Sequence, residues 1–342
     1  MGKTVSLALG SGGARGYVHI GVIQEILAQG YEIQAVAGSS MGALVGGIFA
    51  AGRLDAYCDW VKELNYLDVI RLLDVSFRSP GVISGDRIFD VIGKMIGDLC
   101  IEDLPIAFTA VATDLDSRKE LWFQNGDLLQ AIRASIAIPS LFAPVVYNGR
   151  TLVDGGVLNP LPIAPTVSVH SDLIVAVDLN SDIAPIELDC EVPPAKSLQQ
   201  RAASRWFRGL FRRAREYSGR EMSSSEGPFT GGTGEAEAAV TDNRDTLVVR
   251  SGMLDLFNQS LEVMQETIVR YKIAGYAPDI FIPVARNQCR FYEFHRAEEM
   301  VQVGRLVTAQ ALREFESRGG EALSQEGRES VARGASQNSS RK

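Results

Sequence analysis

The sequence predicts an α/β fold with a mainly parallel central sheet flanked by helices. Two observations lead to this prediction. Short apolar runs alternate with segments of helical periodicity, and the first two runs each end in a glycine-rich turn that opens a helix. The composition, 46% hydrophobic and 22% charged over 342 residues, is that of a globular protein with enough apolar material for a large core.

The first unit is a strand, a glycine-rich turn and a helix. Residues 5–9 are apolar and lead into Gly-Ser-Gly-Gly, which predicts a buried strand that ends in a tight turn. From Tyr17 onward, apolar residues recur with helical spacing until Gly30 ends the pattern.

The second unit repeats this arrangement. Residues 33–37 form an apolar run, and residues 43–52 form a helix of small residues that is apolar on every side and is therefore predicted to be buried. Because parallel strands end at a common edge of the sheet, we expect the chemistry near residues 10–16 and 38–42.

The remaining elements continue the alternation, each as an apolar or amphipathic stretch bounded by turn residues. We predict strands over residues 106–115, 120–123, 150–153, 172–179 and 279–283. We predict helices over residues 128–135, 254–273 and 297–315. All of these elements suit one α/β domain.

Shifts in composition divide the chain into five parts. Residues 218–244 are rich in Ser, Gly, Glu and Thr, and residues 317–342 hold almost no large apolar side chain, so neither stretch is expected to pack into a core. The division is a catalytic core over 1–180, a basic amphipathic segment over 181–217, a flexible insertion over 218–244, the C-terminal part of the same domain over 245–316, and a disordered tail over 317–342.

Charge and cysteine content argue against several classes of protein. Forty-two acidic and 34 basic residues give a net charge of −8, which disfavours a nucleic-acid partner. Cys58, Cys100, Cys190 and Cys289 form no C-x-x-C pair and no cluster with histidine, so we expect reduced thiols and no metal. No stretch approaches the ~18 apolar residues of a membrane span, and we expect a cytoplasmic protein.

The stretch Gly38-Ser39-Ser40-Met41-Gly42 has the form G-x-S-x-G of a nucleophile elbow. In such an elbow, flanking glycines permit a sharp strand-to-helix turn that holds the serine Oγ at the sheet edge, beside the positive end of the following helix. The other interpretation is a tight structural turn. The buried run before the motif and the small-residue helix after it favour Ser40 as a nucleophile.

The glycine-rich loop over residues 10–16 admits two interpretations. As an oxyanion hole it needs free backbone amides near the nucleophile, which Gly12, Gly13 and Ala14 would supply. As a dinucleotide-binding loop it lacks the third glycine of G-x-G-x-x-G, because that position holds Arg15. A serine on the neighbouring strand favours the oxyanion hole.

A nucleophilic serine needs a base, and the sequence offers two kinds. One of the three histidines, His19, His170 or His295, would complete a Ser-His-Asp triad. Alternatively, Asp154 follows an apolar strand and precedes Gly155-Gly156, whose tight turn would bring the carboxylate into a partly dry cleft where its pKa is raised. The residue pattern leaves both alternatives open.

The three motifs, Gly-Ser-Gly-Gly-Ala-Arg-Gly, Gly-Ser-Ser-Met-Gly and Asp-Gly-Gly in this order, resemble the patatin-like phospholipase family, in particular its bacterial branch related to the catalytic domain of neuropathy target esterase. The resemblance covers residues 5–180 and, more loosely, 250–310. It implies a three-layer fold and a dyad of Ser40 and Asp154 without histidine. Implied oxyanion or substrate-binding residues are Gly12, Gly13, Ala14 and Arg15, and supporting motif glycines are Gly10, Gly16, Gly38, Gly42, Gly155 and Gly156.

The resemblance also implies an activity. A serine lipid acyl hydrolase would cleave phospholipid or lysophospholipid with neither metal nor organic cofactor. The chain departs from the family pattern at Ser11, which stands where the first of three consecutive glycines is usual. One rival is a regulatory protein on the same fold that binds acyl lipids without turnover. Another is a nucleotide-binding oxidoreductase, which Arg15 disfavours and which leaves Ser40 unexplained.

One basic segment stands out in this acidic chain. Residues 196–220, from Lys196 to Arg220, hold eight basic residues and one acidic residue, with aromatic residues at helical spacing. A helix of this kind suits the anionic inner face of a membrane, where we expect peripheral binding. A solvated helix whose aromatic face packs on the domain and a partner-binding helix are the alternatives.

Overall fold

A computed structural model of the chain describes residues 3–65, 68–69, 85–139, 141–188 and 253–318. Three predicted parts of the chain lie wholly or largely outside the described residues. They are the basic segment, of which residues 189–217 are outside, the insertion 218–244, and the tail, of which residues 319–342 are outside. The described residues fall in a unit that joins Met1–Cys190 to Met253–Lys342.

The described residues contain one eight-stranded sheet. Its strands are β1 Thr4–Leu9, β2 Glu32–Ser39, β3 Ala107–Asp114, β4 Lys119–Phe123, β5 Val145–Tyr147, β6 Arg150–Asp154, β7 Leu173–Ser181 and β8 Ile280–Ala285. The order is β5-β6-β3-β2-β1-β7-β8, and β4 pairs with the other edge of β3. Strands β3, β2, β1, β7 and β8 run parallel, whereas β4, β5 and β6 add antiparallel pairs, which confirms a mainly parallel sheet.

Helices flank the sheet on both faces, as the fold class predicts. The α-helices of the described residues are α1 Val18–Ala28, α2 Met41–Ala50, α3 Leu54–Glu63, α4 Asp86–Ile96, α5 Leu128–Ser135, α6 Met253–Gly275 and α7 Ala297–Ser317. On one face, α2 lies so close to the sheet that a Cβ on Gly46 would be 2.7 Å from Cγ1 of Val36. On the other face, Val269 of α6 packs with Ala8 and Ala176.

The parallel strands and most helices agree with the sequence-based predictions, with ends that differ by one or two residues. The predicted small-residue helix is α2, and it is almost wholly buried. Three elements were not predicted, namely α3, α4 and β5. Strand β5 has three residues, which is too short for a periodic pattern to be recognised.

One edge of β3 pairs with two different strands in succession. Its first half pairs with β2, up to Ser39 opposite Val111, and its second half pairs with β6, from Asp154 opposite Ala112. Since β2 is parallel to β3 and β6 is antiparallel, the carboxyl ends of β2 and β6 meet head to head. The residues that follow or end these strands are therefore brought together by the register of β3.

The meeting point of β2 and β6 leaves no room for a side chain at Gly155. A Cβ there would lie 2.1 Å from the carbonyl oxygen of Val111. We expect Gly155→Ala to destabilise the protein by about 1–3 kcal/mol or more, because the backbone of β6 must shift away from β3. Gly275→Ala is the matched control, since a Cβ there meets no atom of the described part of the chain within 4 Å. Urea unfolding of both variants tests this, and equal stability would contradict the proposed close approach.

Candidate active site

The predicted motifs lie at the carboxyl ends of the parallel strands β1 and β2 and of the antiparallel strand β6. The glycine-rich loop follows β1, Ser40 follows β2, and Asp154 ends β6 beside them. The site is thus assembled from three segments far apart in sequence, at the sheet edge where the topology predicts it.

Ser40 occupies a strained turn between β2 and α2. Its backbone has φ 56° and ψ −123°, a positive φ that is costly for a residue with a Cβ. The flanking glycines make the turn possible: a Cβ on Gly38 would be 2.3 Å from the backbone of Gly42, and one on Gly42 would be 2.1 Å from the carbonyl oxygen of Leu9. The G-x-S-x-G sequence at residues 38–42 therefore adopts the sharp strand-to-helix turn of a nucleophile elbow.

Ser40 and Asp154 are joined by a direct hydrogen bond. The Ser40 Oγ–H donates to Asp154 Oδ2 at 2.5 Å, and the Gly156 N–H donates to Asp154 Oδ1 at 2.6 Å. Both side chains are buried, with 2% of Ser40 and 4% of Asp154 exposed. One carboxylate oxygen therefore accepts a hydrogen bond from the backbone, and the other accepts one from the serine hydroxyl.

Burial changes the acidity of Asp154. Loss of hydration raises the pKa of this carboxyl to about 7, against the lowering effect of the hydrogen bonds from Ser40 and Gly156. A carboxylate with a pKa near neutrality is a stronger base than an ordinary aspartate. It is thereby better suited to accept the proton of a serine hydroxyl.

The glycine-rich loop has two backbone amides without an acceptor among the described residues, those of Gly12 and Gly13. The preceding amides are occupied, since Gly10 N–H donates to Val177 O at 3.0 Å and Ser11 N–H donates to Pro160 O at 2.9 Å. A 3₁₀ turn over Gly13–Tyr17 follows directly. Amides held in place but lacking an acceptor are what an oxyanion hole requires.

The structure differs from the implied set of oxyanion amides at Ala14, and at Arg15 it shows what the side chain binds. The Ala14 N–H already donates to Phe291 O at 2.9 Å, so it is not available to an oxyanion. The Arg15 guanidinium, 3% exposed, donates to Asn180 Oδ1 at 2.9 Å and to Glu262 Oε1 at 2.8 Å. Arg15 therefore ties the glycine-rich loop to β7 and α6, and the amides left without an acceptor among the described residues are those of Gly12 and Gly13.

The three histidines occupy different places. His19 is buried beneath the glycine-rich loop, where its Nε2–H donates to Gly10 O at 2.8 Å, and burial lowers its pKa to about 4. His170 is exposed just before β7, at the opposite end of that strand from the site. His295 is exposed on the turn Phe294–Arg296. The Ser40 hydroxyl donates its hydrogen bond to Asp154 and not to a histidine.

Three polar residues outside the predicted site support the site loops. Asn180, at the end of β7, donates from Nδ2 to Ser11 O at 3.2 Å. Gln265, on α6, donates from Nε2 to Gly156 O at 3.1 Å. Ser135 contacts Ser40 directly. For Gln265, the available signal was a polar residue on the inward face of an amphipathic helix, and for Asn180 it was a polar residue at a strand end.

Among the described residues, no three His, Cys, Asp or Glu side chains are grouped in a way that would hold a metal ion. None of the described helices combines the length and the apolar character needed to cross a bilayer.

Comparisons with known proteins place the chain in a family. A family model, the patatin-like phospholipase model, matches residues 7–167. An NTE family protein of Mycobacterium tuberculosis is 42% identical over 335 residues, which is 91% of this chain and 92% of that protein. A lysophospholipase of Emericella nidulans is 32% identical over 184 residues, covering 53% of this chain and 12% of that protein.

Among solved structures, VipD of Legionella pneumophila aligns with a TM-score of 0.42 and 15% identity, over 92% of this chain and 67% of that chain. The family assignment rests on the sequence relatives, because the match to the mycobacterial protein extends over nearly all of both chains. The resemblance inferred from the three motifs is confirmed. The chain belongs to the patatin-like phospholipase family and, within it, to the NTE group.

Proposed function

We propose that the protein is a serine lipid acyl hydrolase of the phospholipase A or lysophospholipase type, with Ser40 as nucleophile and Asp154 as base. The observation that supports this best is the 2.5 Å hydrogen bond from Ser40 Oγ to Asp154 Oδ2, made by a serine in a strained elbow. Membership of the patatin-like phospholipase family supports a lipid hydrolase.

In the first half-reaction, the acyl group moves from substrate to enzyme. The Asp154 carboxylate takes the hydroxyl proton as Ser40 Oγ bonds to the carbonyl carbon, and the Gly12 and Gly13 amides donate to the resulting oxyanion. When the tetrahedral intermediate collapses, the ester C–O bond breaks. The leaving alcohol takes the proton from Asp154, which returns as a carboxylate beside an acyl-Ser40 ester.

In the second half-reaction, water replaces the alcohol. Asp154 removes a proton from water as the water oxygen bonds to the acyl carbon, and the same two amides stabilise the second oxyanion. The bond from Ser40 Oγ to the acyl carbon then breaks, and Oγ recovers a proton from Asp154. Free fatty acid leaves, and the dyad has returned to its starting state without metal or organic cofactor.

The substrate class is part of the proposal. Relatives bearing the names lysophospholipase and neuropathy target esterase support an acyl ester of a phospholipid or lysophospholipid. The basic segment 196–220 suits an anionic membrane surface from which such a substrate would be taken, and it lies outside the described residues. Peripheral binding at the inner face of the membrane accordingly stays a prediction.

The regulatory alternative, in which the fold binds acyl lipids without turnover, is not favoured. A binding protein gains nothing from a positive φ at Ser40 or from a buried carboxylate at Asp154, and both reduce stability. Costs of this kind are typical of catalytic sites, where strain and desolvation serve the reaction.

Substitution of either dyad residue tests the proposed function. We expect Ser40→Ala and Asp154→Asn each to lower kcat for lysophospholipid hydrolysis by about 10³-fold or more, because nucleophile and base act as a unit. His295→Ala, at an exposed histidine, is the control and should retain activity. Hydrolysis of lysophospholipid micelles and labelling by a fluorophosphonate probe are the measurements. Undiminished hydrolysis by Ser40→Ala would exclude the dyad.

The pH dependence of kcat/KM tests whether Asp154 is the base. Since Asp154 must be ionised to accept the serine proton and its pKa is about 7, we expect kcat/KM to rise with pH and to level off above pH 8. At pH 5 the ionised fraction, and with it the rate, should be about one hundredth of the plateau. A profile that stays flat between pH 5 and pH 8 would contradict a buried aspartate base.

The same pKa shift predicts a stability effect. The pKa of Asp154 is about 7 in the folded protein against 3.8 ordinarily, so the folded state binds the proton more tightly and gains stability as pH falls from 7 towards 4. Above pH 7 the fold must hold a buried charge. We expect Asp154→Asn to be more stable than the unchanged protein at pH 8, by about 1–3 kcal/mol, with a smaller difference at pH 5. Urea unfolding at both pH values tests this. Lower stability of the variant at pH 8 would show that the carboxylate is not a cost to the fold.

A further inference from the structure

The carboxyl end of α5 contacts the backbone of both dyad residues. The hydroxyl of Ser135, the last residue of α5, accepts a hydrogen bond from the Ser40 N–H at 3.0 Å. Two residues later, the Ala137 carbonyl accepts one from the Asp154 N–H at 2.9 Å. One short segment, 135–137, therefore holds the main-chain amide of the nucleophile and the main-chain amide of the base.

The Ser135 hydroxyl also links this segment to the sheet. It donates to the Val111 carbonyl at 2.6 Å. Val111 is the last residue of β3 paired with β2, and the next residue of β3 pairs with Asp154. The hydroxyl thus lies at the point where β2 stops and β6 begins along the edge of β3.

The presence of a serine at position 135 is explained neither by helix propensity nor by contact with solvent. Alanine is favoured over serine in helices, and Ser135 is fully buried, so its hydroxyl adds nothing to α5 and meets no bulk water. Ser40 is the first residue beyond the β2 ladder, where its N–H would otherwise lack a partner. The hydroxyl supplies that partner, and it also keeps the Ser40 N–H from serving as an oxyanion donor.

We propose that Ser135 is a positioning residue for the dyad: its hydroxyl fixes the strained backbone of Ser40 to β3 and so sets the separation of Ser40 Oγ from Asp154. The inference rests on the proposed Ser40–Asp154 mechanism. It assigns Ser135 no contact with substrate, so substrate binding should be independent of its hydroxyl.

The matched pair Ser135→Ala and Ser39→Ala tests the proposal. Both serines are fully buried next to the same turn, but Ser39 Oγ has no hydrogen-bond partner among the described residues. Active sites are counted by fluorophosphonate titration, so that unfolded protein does not enter the rate. For Ser135→Ala we expect kcat per labelled site and the labelling rate constant to fall by about 10- to 100-fold, with KM for lysophospholipid within about twofold. Ser39→Ala should keep both rates.

A third variant, Ser135→Thr, retains the hydroxyl and should recover most of the lost kcat. If Ser135 served stability alone, its alanine variant would show fewer labelled sites but an unchanged kcat per site, and that result overturns the proposal. The alanine pair decides the question even if the threonine variant does not fold. Ser40→Ala is measured alongside. Full activity of Ser40→Ala overturns the proposed function and this inference with it, whereas an inactive Ser40→Ala with a normal Ser135→Ala overturns this inference alone.

Discussion

The shared edge of β3 is the constraint on which the site depends. Strand β2 pairs with β3 as far as Val111, and β6 takes over at Ala112, so the residues at the two strand ends meet at adjacent positions on one edge. The register of β3 therefore brings Ser40, one residue beyond β2, next to Asp154, the last residue of β6. Because both positions are fixed relative to one strand, a proton transfer between the two side chains would need little reorganisation.

This arrangement has a cost in stability that other contacts offset. A positive φ at Ser40 and a buried carboxylate at Asp154 are both unfavourable by themselves. Around them, Arg15 ties the glycine-rich loop to Asn180 and Glu262, and Gln265 ties the Asp154 turn to α6. Helix α6 thus supports both the glycine-rich loop and the turn that follows Asp154.

The sequence was sufficient for the fold class and for naming Ser40 and Asp154 as candidates, because these depend on local patterns, but it did not predict α3, α4 or β5. An apolar run, a glycine-bounded serine and an Asp-Gly-Gly turn are readable without tertiary information. Whether Asp154 or a histidine faces Ser40 depends on the register of β6 against β3, and the partner of the Ala14 amide depends on Phe291, which is distant in the chain. Ser135 lies 95 residues from Ser40, and no local pattern links a helix-terminal serine to a remote backbone amide.

A crystal structure of the fluorophosphonate adduct would test the proposed nucleophile and oxyanion hole together, because its phosphoryl group mimics the tetrahedral intermediate. We expect a covalent bond from phosphorus to Ser40 Oγ, with the phosphoryl oxygen within hydrogen-bond distance of the Gly12 and Gly13 amides and Asp154 beside the modified serine. Attachment to another residue, or a phosphoryl oxygen held away from both amides, would contradict these assignments.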